Sequence, residues 1–391
     1  MITECPVCSS ADVYGFLDVP QVPVINNILW LTRESAILAR RADIQLAFCS
    51  KCGHIFNRSF RTVLMNCAQE YENSLHFSPR FQTFAESLAK KLVERYDLFG
   101  KKIIDIGCGQ GDFLRLLCEL GDNQGVGFDP SYRHEGEHLN NSHHVKIIQD
   151  NYSEKYRDYH ADFICSRHVL EHISKPQNLV NNLRTSALNE DSLFIYFEVP
   201  NVMYTLRGLG IWDIIYEHPS FFSMSSFGYL FSNCGFKILD LYEGYQGQFL
   251  SVEAQLVNDG TSLLTKNANG VDVVAKAVDG FARDYHKKIA YWRNVLRDLT
   301  KVGKRVVVWG AGSKGVSFLN LLNNHYPIEY VVDINPRKRG MYVSGTGQEI
   351  VAPGFLQDYR PDIIIVMNSI YKDEISSIVS KLSLNPNFLY A

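Results

Sequence analysis

The sequence predicts an α/β protein in which two units built on parallel sheets follow a small cysteine-rich module. Three observations carry this reading. Strand-like and helix-like runs alternate between about residues 102 and 199, an order that puts helices on both faces of a parallel sheet. A buried strand that runs into a glycine turn and then a helix occurs twice, through Gly107-Cys108-Gly109-Gln110-Gly111 and through Gly310-Ala311-Gly312-Ser313-Lys314-Gly315. Two Cys-x-x-Cys pairs, Cys5-Pro6-Val7-Cys8 and Cys49-Ser50-Lys51-Cys52, stand in the first part of the chain.

The 391 residues exceed one ordinary domain and suffice for two or three. Against 42 Asp+Glu there are 39 Lys+Arg, a formal charge of −3 with no stripe of either sign, which argues against nucleic acid and anionic lipid as partners. No run reaches the roughly 18 apolar residues of a spanning helix. Met1-Ile2-Thr3-Glu4-Cys5 lacks a signal peptide's basic and apolar regions, so a cytoplasmic protein without a membrane partner is expected. In that compartment the nine cysteines are thiols or metal ligands in preference to disulfides.

Residues 1–70 show little periodicity, so a metal, in place of a large apolar core, is expected to hold them together. Cys5, Cys8, Cys49 and Cys52 can supply four thiolates to a tetrahedral zinc, and a site with no open position is structural. The gap between the pairs exceeds that of a compact ribbon, which leaves unmetallated thiols as the other reading. His54 is adjacent and surplus, and Cys67, Cys108, Cys118, Cys165 and Cys234 read as small core residues. From 78 to 96, Phe81, Phe84, Leu88 and Leu92 fall on one helix face. Strands follow at 102–106, 125–128, 145–148, 162–165 and 193–199, with helices at 112–120 and 176–188. A helix at 225–233 stops at Gly235, and 236–242 and 249–256 read as closing strands. Residues 257–270 form a polar break, 271–299 a helix, and 304–309 opens the second α/β unit. The expected boundaries are 1–70 for the cysteine module, 71–258 for the central unit, 259–300 for a helical linker and 301–391 for the C-terminal unit.

The central loop places Gly107, Gly109 and Gly111 at alternate positions, so the backbone turns tightly and a ligand lies where a Cβ would collide. Asp129 stands eighteen residues beyond Gly111 at the end of the second strand, where a carboxylate can accept both hydroxyls of a ribose. Asp150 follows the third strand, and Cys165-Ser166-Arg167-His168-Val169-Leu170-Glu171-His172-Ile173 follows the fourth. Taken alone, the glycine pattern also fits a nicotinamide-binding unit or a turn kept for packing. In this order the elements resemble the class I S-adenosylmethionine-dependent methyltransferases. The resemblance implies a Rossmann-like core with S-adenosylmethionine as cofactor. It places Asp105 on the methionine amino group, the glycine loop against methionine and ribose, Asp129 on the ribose, Asp150 near the adenine and Ser166 beside the donor. Tyr71 resembles the tyrosine that reaches the donor's carboxylate. Glu171 and His172 more often orient the loop over the cofactor in this fold than do chemistry.

A cysteine module, such a core and a second Rossmann-like unit, in that order, resemble the nucleotide-sugar C-methyltransferases over nearly the whole chain. Beside the cysteines and the glycine loops, the resemblance is carried by Leu17-Asp18-Val19-Pro20 leading to Pro23, by Ile215-Tyr216-Glu217-His218, and by Phe221-Phe222-Ser223. It implies C-methylation of a small-molecule acceptor, a keto deoxysugar on a nucleotide carrier, with zinc as a structural metal. Methylating carbon needs a carbanion or enolate, hence a base poised near neutrality, for which imidazole is the natural group. His218 is the expected base. Glu217 would hold that imidazole or a substrate hydroxyl, and Tyr216 would donate to the enolate oxygen; shaping a loop is the bland alternative. Departures leave O- or N-methylation of another polar acceptor open. The family often has tyrosine where this chain has Ile215, many sugar enzymes have Asn where His168 stands as a substrate-facing residue, and Gly247-Gln248 replaces Gly-Gly.

In the C-terminal unit Asp333 lies eighteen residues beyond Gly315, a dinucleotide fingerprint when taken alone. A bifunctional enzyme that binds NAD(P) is one reading. The resembling family implies a unit that covers the nucleotide-sugar, with Gly312, Ser313 and Lys314 at a helix N-terminus suited to a diphosphate; pure scaffolding is a third. Monomer and homodimer both remain open.

Overall fold

The structure, a computed structural model, describes residues 1–65, 71–133, 144–186, 193–256, 268–322, 326 and 328–391. Cys67, most of the polar break and the end of the helix expected to reach 188 lie outside these residues. The N-terminal module holds β1 (Val13–Pro23), α1 (Arg33–Ile37), β2 (Arg41–Cys49) and β3 (Ile55–Asn57). The central unit begins with α2 (Pro79–Arg95), β4 (Lys102–Ile106), α3 (Asp112–Gly121), β5 (Gln124–Phe128), β6 (Val145–Ile148) and β7 (Phe163–Arg167). It continues with α4 (Pro176–Ser186), β8 (Phe194–Pro200), α5 (Val202–Arg207), β9 (Ser220–Phe221), α6 (Met224–Asn233), β10 (Phe236–Gly244) and β11 (Phe249–Leu256). After α7 (Ala268–Lys301) come β12 (Val306–Trp309), α8 (Ser313–Leu321), β13 (Tyr330–Val332), β14 (Glu349–Val351), α9 (Leu356–Tyr359), β15 (Ile363–Val366), α10 (Lys372–Lys381) and β16 (Asn387–Tyr390).

The central sheet has the order β10-β11-β8-β7-β4-β5-β6, with β11 antiparallel to both of its neighbours. Its inner strand β4 is buried on both faces, which is why it reads as the near-continuous run Ile103-Ile104-Asp105-Ile106. Strand order reverses between β4 and β7, opening a crevice at their C-terminal ends. The C-terminal sheet, β14-β13-β12-β15-β16, is wholly parallel and reverses between β12 and β15. These are two Rossmann-like α/β units, as the sequence predicts. α2 starts where Ser78 caps the Phe81 N–H and Pro79 takes the first helical position, and it buries Phe81, Ala85, Leu88 and Leu92.

Two stretches pack differently from the expectation. The first seventy residues carry a true sheet, β1-β2-β3-β9, whose last strand is supplied by the central unit. Val19, Ile44 and Leu46 of this sheet share one core with Trp212, Phe281 and Tyr285. The module is therefore held by apolar burial against its neighbours as well as by its cysteine cluster. α7, expected as a linker, buries one entire face through Val274, Val278, Phe281, Tyr285, Ile289, Trp292 and Leu296. Among the described residues no helix is long and apolar enough to cross a membrane.

The first turn of α8 sits directly on the end of β12. A Cβ at Gly315 would lie 1.9 Å from the Gly310 carbonyl oxygen, whereas one at Gly312 would meet nothing within 4 Å. Gly315→Ala is expected to lower stability in denaturant melts by about 1–3 kcal/mol, with Gly312→Ala near neutral. Equal effects at both positions would show that α8 does not need this close approach.

Candidate active site

The central glycine loop leaves β4 at the switch point. Gly107, Gly109 and Gly111 have φ of 74°, 57° and 84°, values that favour glycine. A Cβ at Gly107 would come within 2.1 Å of Val169, while one at Gly109 would meet nothing within 4 Å. The loop is braced on one side and open on the other. Gly109 donates its N–H to Asp129 Oδ2 at 2.8 Å, and Asp129 Oδ1 accepts from the Ser131 N–H (2.8 Å) and hydroxyl (2.6 Å). Below the loop, burial raises the Asp105 carboxyl to about 7, against the pull of the Cys165 thiol and the Arg167 charge. Asp150 accepts from Lys155 and from the Tyr156 hydroxyl (2.6 Å), and these bonds, the lysine's first, lower its carboxyl to about 2. Ser166 donates its buried hydroxyl to the Ile106 carbonyl at 3.0 Å. It ties β7 to β4 under the loop.

A second cluster forms around residues 216–218. Glu217, 1% exposed, accepts from the Asn26 N–H at 2.5 Å and also bonds the Asn27 N–H and the Tyr71 hydroxyl. Burial raises its carboxyl, while the His172 charge and these donors oppose the rise. His218 meets His172 edge to face with centroids 4.7 Å apart. Burial first, then the charges of His172 and His168, hold the His218 imidazole well below its usual range, so it is neutral and able to accept a proton. His172 Nδ1 lies 3.0 Å from the Glu217 carbonyl oxygen. A carbonyl only accepts, so Nδ1 carries a proton there.

Two tyrosines have partners within the protein. The Tyr216 hydroxyl accepts from the Arg61 N–H at 2.9 Å and its ring packs on Phe60, which ties it to the N-terminal module. The Tyr71 hydroxyl bonds Asn27 and Glu217, which places it beside this cluster.

His168 has φ +58°, and its ring lies between Glu171 Oε1, 3.6 Å from Nδ1, and Glu198 Oε1, 3.2 Å from Nε2. Burial alone would lower this imidazole; the bonds and charges of the two carboxylates outweigh it and raise the group to about 9. Glu198 also holds Arg167 through Nε and Nη2 at 2.9 and 2.8 Å. Its own burial is overcome by Arg167 and His168, and its carboxyl falls to about 2.

Between the central and C-terminal units lies a cavity of about 270 Å³, lined by Phe77, Tyr245 and Phe249 on one side and by Gly312, Ser313, Lys314 and Lys338 on the other. The α8 N-cap, Gly312, gives no side-chain bond to the first turn, leaving N–H groups for a ligand or water. Asp333 Oδ2 accepts from the Ala311 N–H and Oδ1 from the Asn335 N–H, both at 2.9 Å. Lys338, 5% exposed, donates to the Ala311 carbonyl at 3.0 Å and lies 3.7 Å from Asp333. Lys314 pairs with Asp213 at 3.1 Å. Gln248, where Gly-Gly was the family pattern, exchanges two amide hydrogen bonds of 3.1 Å with Asn368 across the cleft.

The four paired cysteines come together in the N-terminal module. Cys5 Sγ is 3.6 Å from Cys52 Sγ, Cys8 Sγ is 3.4 Å from Cys49 Sγ, and all four lie within 4.8 Å of one another, buried. Tetrahedral zinc with bonds of about 2.3 Å fits such a set. His54 is buried between Phe56 and Phe222, and burial lowers its ring to about 3.

Two family models match consecutive stretches of the chain: a methyltransferase domain over residues 80–241 and a C-methyltransferase C-terminal domain over residues 262–385. The C-methyltransferase NovU of Streptomyces niveus is 23% identical over 393 aligned residues, covering 96% of this chain and 91% of that protein. The chain is an S-adenosylmethionine-dependent methyltransferase. A mitochondrial ubiquinone biosynthesis O-methyltransferase of Dictyostelium discoideum is 26% identical over 30% of this chain and 40% of its own length. The solved magnesium protoporphyrin IX methyltransferase of Synechocystis PCC 6803 is 17% identical, covering 45% of this chain and 84% of that one, with a TM-score of 0.36.

In this methyltransferase the pairing of His172 with His218 was not foreseen: the residues are remote in sequence and no motif joins them. Arg167 escaped notice because an arginine inside a strand carries no pattern of its own. His168 yields a pH test. Its folded pKa, about 9, is raised above the unfolded value of about 6.5. The stabilisation is therefore fully present below pH 6.5 and lost as pH rises through 9. Denaturant melts between those limits should fall more steeply for the wild type than for His168→Asn. Parallel curves would contradict the charged state.

Proposed function

We propose that this enzyme transfers the donor's methyl group to carbon, on a keto deoxysugar carried by a nucleoside diphosphate, with His218 as the base that forms the enolate. The observation that carries the reading is a half-buried imidazole packed edge to face on His172, with centroids 4.7 Å apart, and next in sequence to the buried Glu217. S-adenosylmethionine supplies an electrophilic methyl whose transfer depends on alignment. Asp105 holds its amino group, the open side of Gly109 receives methionine and ribose, Asp129 takes the ribose hydroxyls, and Asp150 stands at the adenine end. The 270 Å³ cavity receives the nucleotide, with its diphosphate on Gly312, Ser313 and Lys314. Asp333, already paired with Lys338, is less free than Asp129 to take a dinucleotide's ribose. A substrate role is therefore favoured over NAD(P).

Incubation with a thymidine diphosphate-linked 4-keto-6-deoxyhexose in D2O should wash deuterium into the position next to the ketone, with or without donor. His218→Ala should abolish the exchange and keep S-adenosylhomocysteine binding. Exchange that survives in the variant removes His218 as base, and wild-type methylation of oxygen or nitrogen without exchange removes the enolate.

Donor affinity should depend on Asp105. An amino group pairs with the ionised carboxylate, so affinity is expected to rise with pH through about 7, and Asp105→Asn should abolish the dependence. A flat calorimetric profile in the wild type would exclude this pairing.

The cysteine cluster is read as a structural zinc site. One zinc per chain is expected by elemental analysis. Cys52→Ser should lose the metal and lower the melting temperature; full stability without zinc would assign the four thiols to packing alone.

A further inference from the structure

Asn26 and Asn27, 4% and 3% exposed, in the turn after β1, touch both of the other units. Their backbones face the central unit. The Asn26 N–H donates to Glu217 Oε1 at 2.5 Å, the Asn27 N–H bonds the same carboxylate, and the Asn27 carbonyl accepts the Glu72 N–H at 2.9 Å. Glu72 follows Tyr71, which forms an isolated bridge with Ile28, so the turn sets the backbone that carries the Tyr71 hydroxyl. Their side chains face the C-terminal unit. Asn26 Nδ2 donates to the Ser313 carbonyl (3.3 Å) and to Ser317 Oγ (3.2 Å), and Asn27 Nδ2 donates to Ser313 Oγ (2.8 Å).

A buried carboxylate is held by few donors and is sensitive to where each one points. Among the described residues, the Asn26 N–H donates to Glu217, and the Asn27 N–H and the Tyr71 hydroxyl also act on it; the first two belong to this turn and Tyr71 is bridged to its Ile28. The turn is fastened in turn to the first residues of α8, the helix start that lines the cavity. Gly315 seats that helix start on Gly310, so a change at Ser313 passes to the asparagines more readily than to β12.

We propose that Asn26 and Asn27 are positioning residues for methyl transfer: they register Glu217 and Tyr71 against the first turn of α8, so that what occupies the C-terminal cavity sets the geometry of the reacting centre. The inference rests on the reading that the acceptor's diphosphate lies on that turn. It gives the N-terminal module a part in the reaction beyond holding metal.

The test follows Tyr71 directly, by fluorine NMR of the full-length enzyme with 3-fluorotyrosine at position 71 and S-adenosylhomocysteine bound. Ser313→Ala removes the acceptor of the Asn27 side chain. It should shift the Tyr71 resonance when Asn27 is present and leave it unmoved in an Asn27→Ala background. Equal shifts in both backgrounds, or none in either, overturn the proposal. Should Asn27→Ala fail to fold, Asn27→Ser, too short to span to Ser313, takes its place in the same comparison. Thymidine diphosphate then probes the underlying reading. Calorimetric binding with a Tyr71 shift that the Asn27 variant loses supports both ideas, and binding with no Tyr71 shift overturns the coupling. Absence of binding overturns the nucleotide-linked acceptor and leaves the Ser313–Asn27 comparison to decide the positioning.

Discussion

Burial of the Glu217 carboxylate constrains the arrangement of all three units. A carboxylate taken out of water is stabilised in its ionised form by hydrogen-bond donors. Among the described residues the Asn26 and Asn27 N–H groups of the N-terminal module act in this way on Glu217, beside Tyr71 and the His172 charge. That module in turn grips the chain just past Glu217. The Asn57 N–H donates to the Pro219 carbonyl, β3 pairs with β9, and the Ser223 hydroxyl donates to the Gly53 carbonyl. Gly53 adjoins Cys52, so the cysteine cluster braces the segment that carries Glu217 and His218 from behind. A zinc there would act on the site through backbone position alone, since four thiolates leave no coordination vacancy.

The two parallel sheets solve the same problem in the same way. At each switch point a strand-end aspartate accepts the N–H of a glycine turn: Asp129 from Gly109 in one, Asp333 from Ala311 in the other. The carboxylate fixes the turn and remains at its edge. The difference is the neighbour. Asp129 has the Ser131 hydroxyl, a neutral group, whereas Asp333 has the Lys338 ammonium. Neutralising the second carboxylate suits an anionic ligand at the α8 start better than a pair of ribose hydroxyls.

The central fold was legible because a parallel strand buried on both faces writes itself as Ile103-Ile104-Asp105-Ile106, and because positive φ at Gly107, Gly109 and Gly111 admits glycine above all. Asp105, Asp129 and the cysteine set lie where such spacing puts them. The N-terminal sheet was not legible. β1 has an irregular burial pattern and two register shifts, and it is buried by α7 and the C-terminal unit, remote partners that local periodicity does not record. α7 did carry its heptad-like apolar spacing, but a polar segment before it made it read as a spacer. Motif matching places the Cα of Ser166 and Tyr216 and says nothing of the bonds their hydroxyls make with the Ile106 carbonyl and the Arg61 N–H.

The departure at position 168 and the state of position 218 are one electrostatic feature. His168 is held as a cation between Glu171 and Glu198, with the buried Arg167 sharing Glu198. Its charge is one of the causes that keep His218 neutral. Two imidazoles in one cluster are thereby driven to opposite protonation states, the condition under which one can take a proton while the other keeps its own. An amide at 168 would satisfy the same carboxylates by hydrogen bonding but would bring no charge. The chain's own residue at this site thus adds, after burial and the His172 charge, to what holds the His218 imidazole down.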